Sequence, residues 1–142
     1  MNKNERREII LDNYEHPYHR EKIDDDSYLE VNTNSQSCID NLDLSIKIEH
    51  DIIQSIYFTG EACAISTSAT SIMNKLLEGK NIDEAINIIE NYENMIEEKN
   101  YDDQILKEAN CFNNIYKHEN RKGCALLSWQ GIKKLLLSQL NK

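Results

Sequence analysis

Between residues 42 and 49 the chain alternates strictly, with Leu42, Leu44, Ile46 and Ile48 on one side and Asp43, Ser45, Lys47 and Glu49 on the other. A period of two puts every second side chain on the same face, so this stretch predicts a half-buried β-strand. Beyond His50 and Asp51, the run IIQSIYFT is rich in β-branched and aromatic residues. It predicts the second arm of a hairpin, ended by Gly60. A further short strand is expected around residues 28–31, inside the polar, turn-rich stretch from 16 to 37.

Elsewhere the apolar positions recur at helical spacing. Ile9, Ile10 and Tyr14 follow a charged start and are closed by Pro17, which predicts a short N-terminal helix over 3–15. From Cys63 onward, Ile65, Ala69, Ile72, Met73 and Leu76 make one apolar face, with Gly79 in the stop position. Asp83 is expected to cap the next helix, which turns Ala85, Ile86, Ile89, Tyr92 and Ile96 inward. The charged stretch from 97 to 123 predicts a further helix and a loop. A last helix, preceded by Cys124, carries Trp129, Ile132, Leu136 and Leu140. The order of elements predicts an α+β fold: a small antiparallel three-stranded sheet covered on one face by four to five helices.

A chain of 142 residues with 39% hydrophobic content fits one domain over residues 1–142. No run approaches the roughly 18 apolar residues that cross a bilayer, and the start MNKNERREII is charged, unlike a signal peptide. A cytoplasmic protein without membrane partners is expected. The formal net charge of −9 argues against nucleic acid, whose phosphates need a basic surface. A protein partner with a basic patch is therefore expected instead.

The four cysteines, Cys38, Cys63, Cys111 and Cys124, change the picture most. In reducing cytosol a disulfide framework is disfavoured, which leaves metal binding or thiol chemistry against simple burial as small hydrophobes. Cys63 falls between a strand and a helix, and Cys124 falls before the last helix. Both placements bring sulfur near the unpaired N–H groups of a helix start, which favour a thiolate. Cys38 lies in the loop before the alternating strand with Asp40 two residues on, and a carboxylate oxygen with thiolate sulfurs makes a tetrahedral zinc shell. Such a pair is a weak signal on its own. Cys111 reads as a helix-face packing residue, His118 as a solvated histidine, and Trp129 as core. His16, His19 and His50 match no ligand role.

These residues lie in segments that resemble the U-type iron–sulfur cluster assembly family (IscU/NifU-like), and within it the SufU branch. GEACAIS, residues 60–66, resembles the family pattern G-x-G-C-A-I-S at a helix start. ILDNYEHP, SCID and EGKNIDEA resemble the family's N-terminal segment, its C-G-D loop and its G-K-x-x-x-E-A link. RKGCALLSW is similar to the SufU segment R-x-K-C-A-T-L-A-W. The likeness extends over roughly residues 9–137. The long segment from Glu84 to Cys124 and the glycine at 123, where scaffold-type relatives have histidine, favour SufU.

The resemblance implies a zinc ion held by Cys38, Asp40, Cys63 and Cys124, with Arg121 contacting a partner or steadying Asp40. It implies a zinc-dependent sulfurtransferase role. A SufS-like cysteine desulfurase would pass persulfide sulfur to Cys38, once a desulfurase histidine had freed that thiolate from zinc, and the sulfur would go on to Fe–S assembly or acceptor proteins. The alternative is a scaffold on which the same ligands hold a [2Fe–2S] cluster or iron; a structural zinc module is a third reading. Departures from the pattern are Ile39 in place of the loop glycine, Ala62 before Cys63, and Gln36 and Ser37 before Cys38. All four ligand types are intact.

Overall fold

The computed structural model describes residues 1–34 and 39–141. Its three strands, β1 (Leu29–Asn34), β2 (Asn41–Glu49) and β3 (Ile52–Glu61), form one antiparallel sheet in the order β1-β2-β3. The alternating stretch is thus the central strand, and Leu42, Leu44 and Ile46 are fully buried. His50 and Asp51 both take positive φ, 55° and 62°, the backbone of a tight hairpin turn whose twist matches the strands it joins. The register shifts between Lys47 and Ile48, so that Lys47 pairs with Ser55 but Ile48 with Ile53. The extra residue, Gln54, is a bulge. Through it Ile53, Ile56 and Phe58 all point into the core despite their uneven spacing.

Among the described residues four α-helices accompany this sheet: α1 (Lys3–Glu15), α2 (Ala64–Leu77), α3 (Ile82–Ile96) and α4 (Glu119–Leu140). The α2–α3 link docks on the start of β3, where the Ile53 N–H donates to the Lys80 carbonyl and the Gly79 N–H to the Ile53 carbonyl. Trp129 of α4 holds three helices together. Its ring stacks on Tyr92 of α3 at 3.7 Å, its indole N–H donates to the Ala69 carbonyl of α2, and the Tyr92 hydroxyl donates to the Ala125 carbonyl. Both aromatic side chains are fully buried with their polar tips paired, which is how such residues enter a core without penalty.

Several expectations are corrected. The helix after Cys63 does not show one buried face: α2 is buried on all sides from Ser66 to Asn74. It lies between α1, α4 and β3. Several of its small polar residues tolerate burial because their hydroxyls are hydrogen-bonded to the helix's own carbonyls or to neighbouring helices. The Ser68 hydroxyl donates to the Ala64 carbonyl, and Thr70 Oγ1 lies 2.8 Å from both the Ser66 carbonyl oxygen and Ser128 Oγ. In α1 it is Asn13 that is buried, its amide oxygen accepting from the Ser71 hydroxyl, whereas Tyr14 is exposed. Asn81, not Asp83, caps α3, its side chain accepting from the Glu84 N–H. Ile86 is only half-buried, while Ile88, two residues on and on a different face, is buried.

The charged stretch forms three 3-10 turns, Asp103–Ile105, Lys107–Phe112 and Ile115–Lys117, rather than the expected helix and loop. They nevertheless bury Leu106, Ala109, Phe112 and Ile115. The last helix starts earlier than expected, at Glu119, and Leu140 at its end is exposed.

Candidate metal centre

Asp40 immediately precedes β2 and is 1% exposed. Opposite it, β3 runs out through Gly60, whose φ of 120° and lack of a Cβ allow close approach to the Asn41 carbonyl. This approach brings the start of α2 against Asp40. The Cys63 N–H donates to Asp40 Oδ1 at 2.7 Å, and Cys63 Sγ lies 3.7 Å from Oδ2. Cys63 occupies the cap position of α2, where its sulfur accepts from the Ser66 N–H at 3.4 Å. An otherwise unpaired amide of the first turn is satisfied in this way.

Cys124 arrives from the other side of the fold. It sits in the second turn of α4, with its sulfur 3.8 Å from the Asn120 carbonyl, and not before the helix as expected. The helix begins where the His118 carbonyl accepts from the Arg121 and Lys122 N–H groups, and Gly123 is carried inside it. A single interior glycine costs a helix about 1 kcal/mol and does not stop it. The expected proximity of Cys124 to a helix start is therefore replaced by a lateral position on the helix wall.

One ligand atom from each of Asp40, Cys63 and Cys124 lies within 4.8 Å of the others. Neighbouring ligands of a tetrahedral zinc are about 3.5–3.8 Å apart, given bond lengths near 2.0–2.3 Å. The Cys63–Asp40 separation already meets that spacing, and the cluster as a whole is within about 1 Å of it. Two sulfurs and a carboxylate oxygen form a donor set suited to zinc or to iron.

The remaining candidates fall out differently. Cys38 lies outside the described residues, as do Gln36 and Ser37. Ile39, beside Asp40, is 70% exposed, so the departure from glycine adds a bare aliphatic side chain at the rim. Arg121 is exposed, one turn before Cys124. Cys111 is buried, and burial pushes its thiol well above the ordinary range, in keeping with a packing role. His118 is exposed, and its side chain makes no capping bond to α4.

His19 stacks between Tyr18 and Tyr57, with Nδ1 2.8 Å from Glu78, so it fastens the segment before β1 to the sheet. The supports missed from sequence are backbone groups, namely the Ser66 N–H and the Asn120 carbonyl. Only the three- and four-residue offsets from Cys63 and Cys124 hinted at them.

The model of the NifU-like N-terminal domain family matches residues 5–125. The zinc-dependent sulfurtransferase SufU of Bacillus subtilis is 32% identical over 90% of this chain and 86% of its own length. The iron–sulfur cluster assembly scaffold protein IscU of Thermotoga maritima is 31% identical over 91% and 90%. Among solved structures, a candidate iron–sulfur cluster assembly scaffold protein for the SUF system from Fervidobacterium islandicum superposes with a TM-score of 0.86. It is 29% identical, over 91% of this chain and 94% of that one. Among the described residues no helix is long and apolar enough to cross a membrane.

Proposed function

The chain belongs to the family defined by the NifU-like N-terminal domain, and from that premise we propose that it is a zinc-dependent sulfur acceptor in iron–sulfur cluster biogenesis. It takes persulfide sulfur from a cysteine desulfurase of the SufS type and passes it on to assembly or acceptor proteins. The observation that carries this reading is the convergence of Asp40, Cys63 and Cys124 within 4.8 Å, from three separate elements. Structural zinc sites more often draw their ligands in close sequence pairs. The same reading treats residues 1–142 as one domain working in the cytoplasm.

Cys38, Asp40, Cys63 and Cys124 would hold the metal. Zinc, when bound, keeps thiolates deprotonated at neutral pH while damping their nucleophilicity. Asp40 orients the Cys63 backbone through its 2.7 Å hydrogen bond and offers its second oxygen toward the sulfur. Cys63 and Cys124 are anchored to helices and stay in place. Cys38, two residues before Asp40 in the sequence, is the thiolate assigned to transfer. Its Sγ attacks the outer sulfur of the desulfurase persulfide; a new S–S bond forms at Cys38, the old one breaks, and the desulfurase cysteine departs as a thiolate. Arg121 is assigned to contact with the partner, a role supported by its exposure one turn from Cys124.

The test is elemental analysis of protein purified without added metal, run for the parent and for Asp40→Ala, followed by a desulfurase activation assay. About one zinc per chain, weakened in the variant, together with faster desulfurase turnover, is the expected result. Iron with acid-labile sulfide would instead move the assignment to a scaffold. That second reading draws on the resemblance to the Thermotoga IscU and on a donor set that holds [2Fe–2S] as readily as zinc.

A further inference from the structure

Between α1 and the start of α4 runs a groove of about 310 Å³. Lys3, Arg6 and Arg7 of α1 and Arg121 of α4 line it, with His118 beside them. The apolar part of the lining is Ile10, Leu11, Ile65 and Ile115, of which Leu11 is 41% exposed. No carboxylate lines this groove, although the chain carries 25 acidic residues against 16 basic ones. Among the described residues, Lys3, Arg6, Arg7 and Arg121 form no salt bridge, while Lys47, Lys75, Lys122 and Lys133 all do. Arg6 donates only to neutral groups, the Met1 carbonyl and the Asn113 side chain.

Charges of one sign gathered over an apolar floor, on a molecule of the opposite net charge, set the chemistry of a complementary ligand. It must bring carboxylates for the cations and aliphatic side chains for the floor. A nucleic acid has no aliphatic side chains to fill the floor and is repelled by a net charge of −9. A concave groove walled by two helices fits a protein segment, in the manner of a peptide laid into a helical groove. Its position is also telling. Ile65 stands in the first turn of α2, two residues beyond Cys63, and Arg121 stands three residues before Cys124. An occupant would lie along the flank of the metal centre.

We propose that this groove docks an acidic segment bearing aliphatic side chains, carried by the protein that delivers sulfur to the centre. The identity of that partner rests on the sulfur-acceptor reading; the acidic and apolar character of the segment rests on the groove alone. The cations supply encounter rate and register, so binding weakens steeply with salt, and the floor supplies the residence time.

The experiment measures binding of a SufS-type cysteine desulfurase by surface plasmon resonance at low and high salt, beside its activation at saturating concentrations of the zinc-loaded chain. Lys3→Glu with Arg7→Glu reverses two exposed charges that make no side-chain hydrogen bond. Leu11→Asp is an independent second variant should charge reversal disturb α1. The expected result is a Kd at least tenfold weaker in each variant, with zinc content and saturated activation unchanged and binding restored in Lys3→Arg with Arg7→Lys. Unchanged Kd in both variants would overturn the groove assignment while leaving the sulfur-acceptor reading intact. Normal binding that weakens in the variants, without any activation by the parent, would do the reverse. A parent that fails to bind the desulfurase, or binds a single-stranded oligonucleotide more tightly, would also overturn the groove assignment.

Discussion

Asp40 does two separable things, and substitutions divide them. Its carboxylate, on a residue that is 1% exposed, accepts the Cys63 N–H at 2.7 Å, and on the proposed function it also supplies an oxygen ligand to the zinc. Asp40→Asn retains an acceptor for the amide but loses the negative ligand, so metal affinity falls with little change in the stability of the metal-free chain. Asp40→Ala also leaves the part-buried Cys63 N–H without this acceptor, which costs about 1 kcal/mol. Urea denaturation of both metal-free variants is expected to show the loss for alanine alone. At this scale the sequence was informative about chemistry and poor about position. The residue types and the GEACAIS pattern pointed to Cys63 and Asp40. The lateral seat of Cys124 was hidden because Gly123 resembles a helix boundary and is an interior residue.

The elements were legible where periodicity is decisive. The alternation of Leu42, Leu44 and Ile46 marked β2, since only a strand buries every second residue. Helix α2 was placed correctly but its surroundings were not, because Ser66, Thr67, Ser68, Thr70 and Ser71 look like a solvated face. Their side chains are small enough to pack and mostly bond to nearby groups. The 3-10 turns between α3 and α4 carry no periodic signal, so their burial of Phe112 could not be anticipated.

Helix α4 offers a test in which two like substitutions have opposite signs. A Cβ on Gly123 would meet nothing within 4 Å, so Gly123→Ala should stabilise the metal-free chain by about 0.5–1 kcal/mol through helix propensity. A Cβ on Gly131 would collide with the Thr33 methyl group of β1, and Gly131→Ala should destabilise it by about 1–3 kcal/mol. Thermal or urea unfolding reads both.

Over the whole molecule, the core and the metal centre are distinct. The stack of Trp129 on Tyr92 and the buried residues of β2 and β3 hold the fold without any of the three ligand residues. Removal of metal by a chelator should therefore lower the melting temperature by the linkage of binding to folding, yet leave the far-ultraviolet circular dichroism of a folded α+β protein. A chain that unfolds outright on chelation would instead be a structural zinc module. The overall architecture was open to sequence reasoning because its strand and helix periods are strong. The meeting of three distant residues at one point was not, since it depends on the glycine-mediated approach of β3 to β2 and on the crossing of α4.

In the proposed function Cys38 receives sulfur while Asp40, Cys63 and Cys124 keep the metal. The most direct measurement is peptide mass spectrometry of the zinc-loaded chain after incubation with a cysteine desulfurase and cysteine, with thiols blocked at the end of the reaction. The account predicts one added sulfur on the peptide containing Cys38, absent when Cys38→Ala is used. Added sulfur on Cys63 or Cys124 instead, or transfer to Cys38→Ala as fast as to the parent, would contradict it.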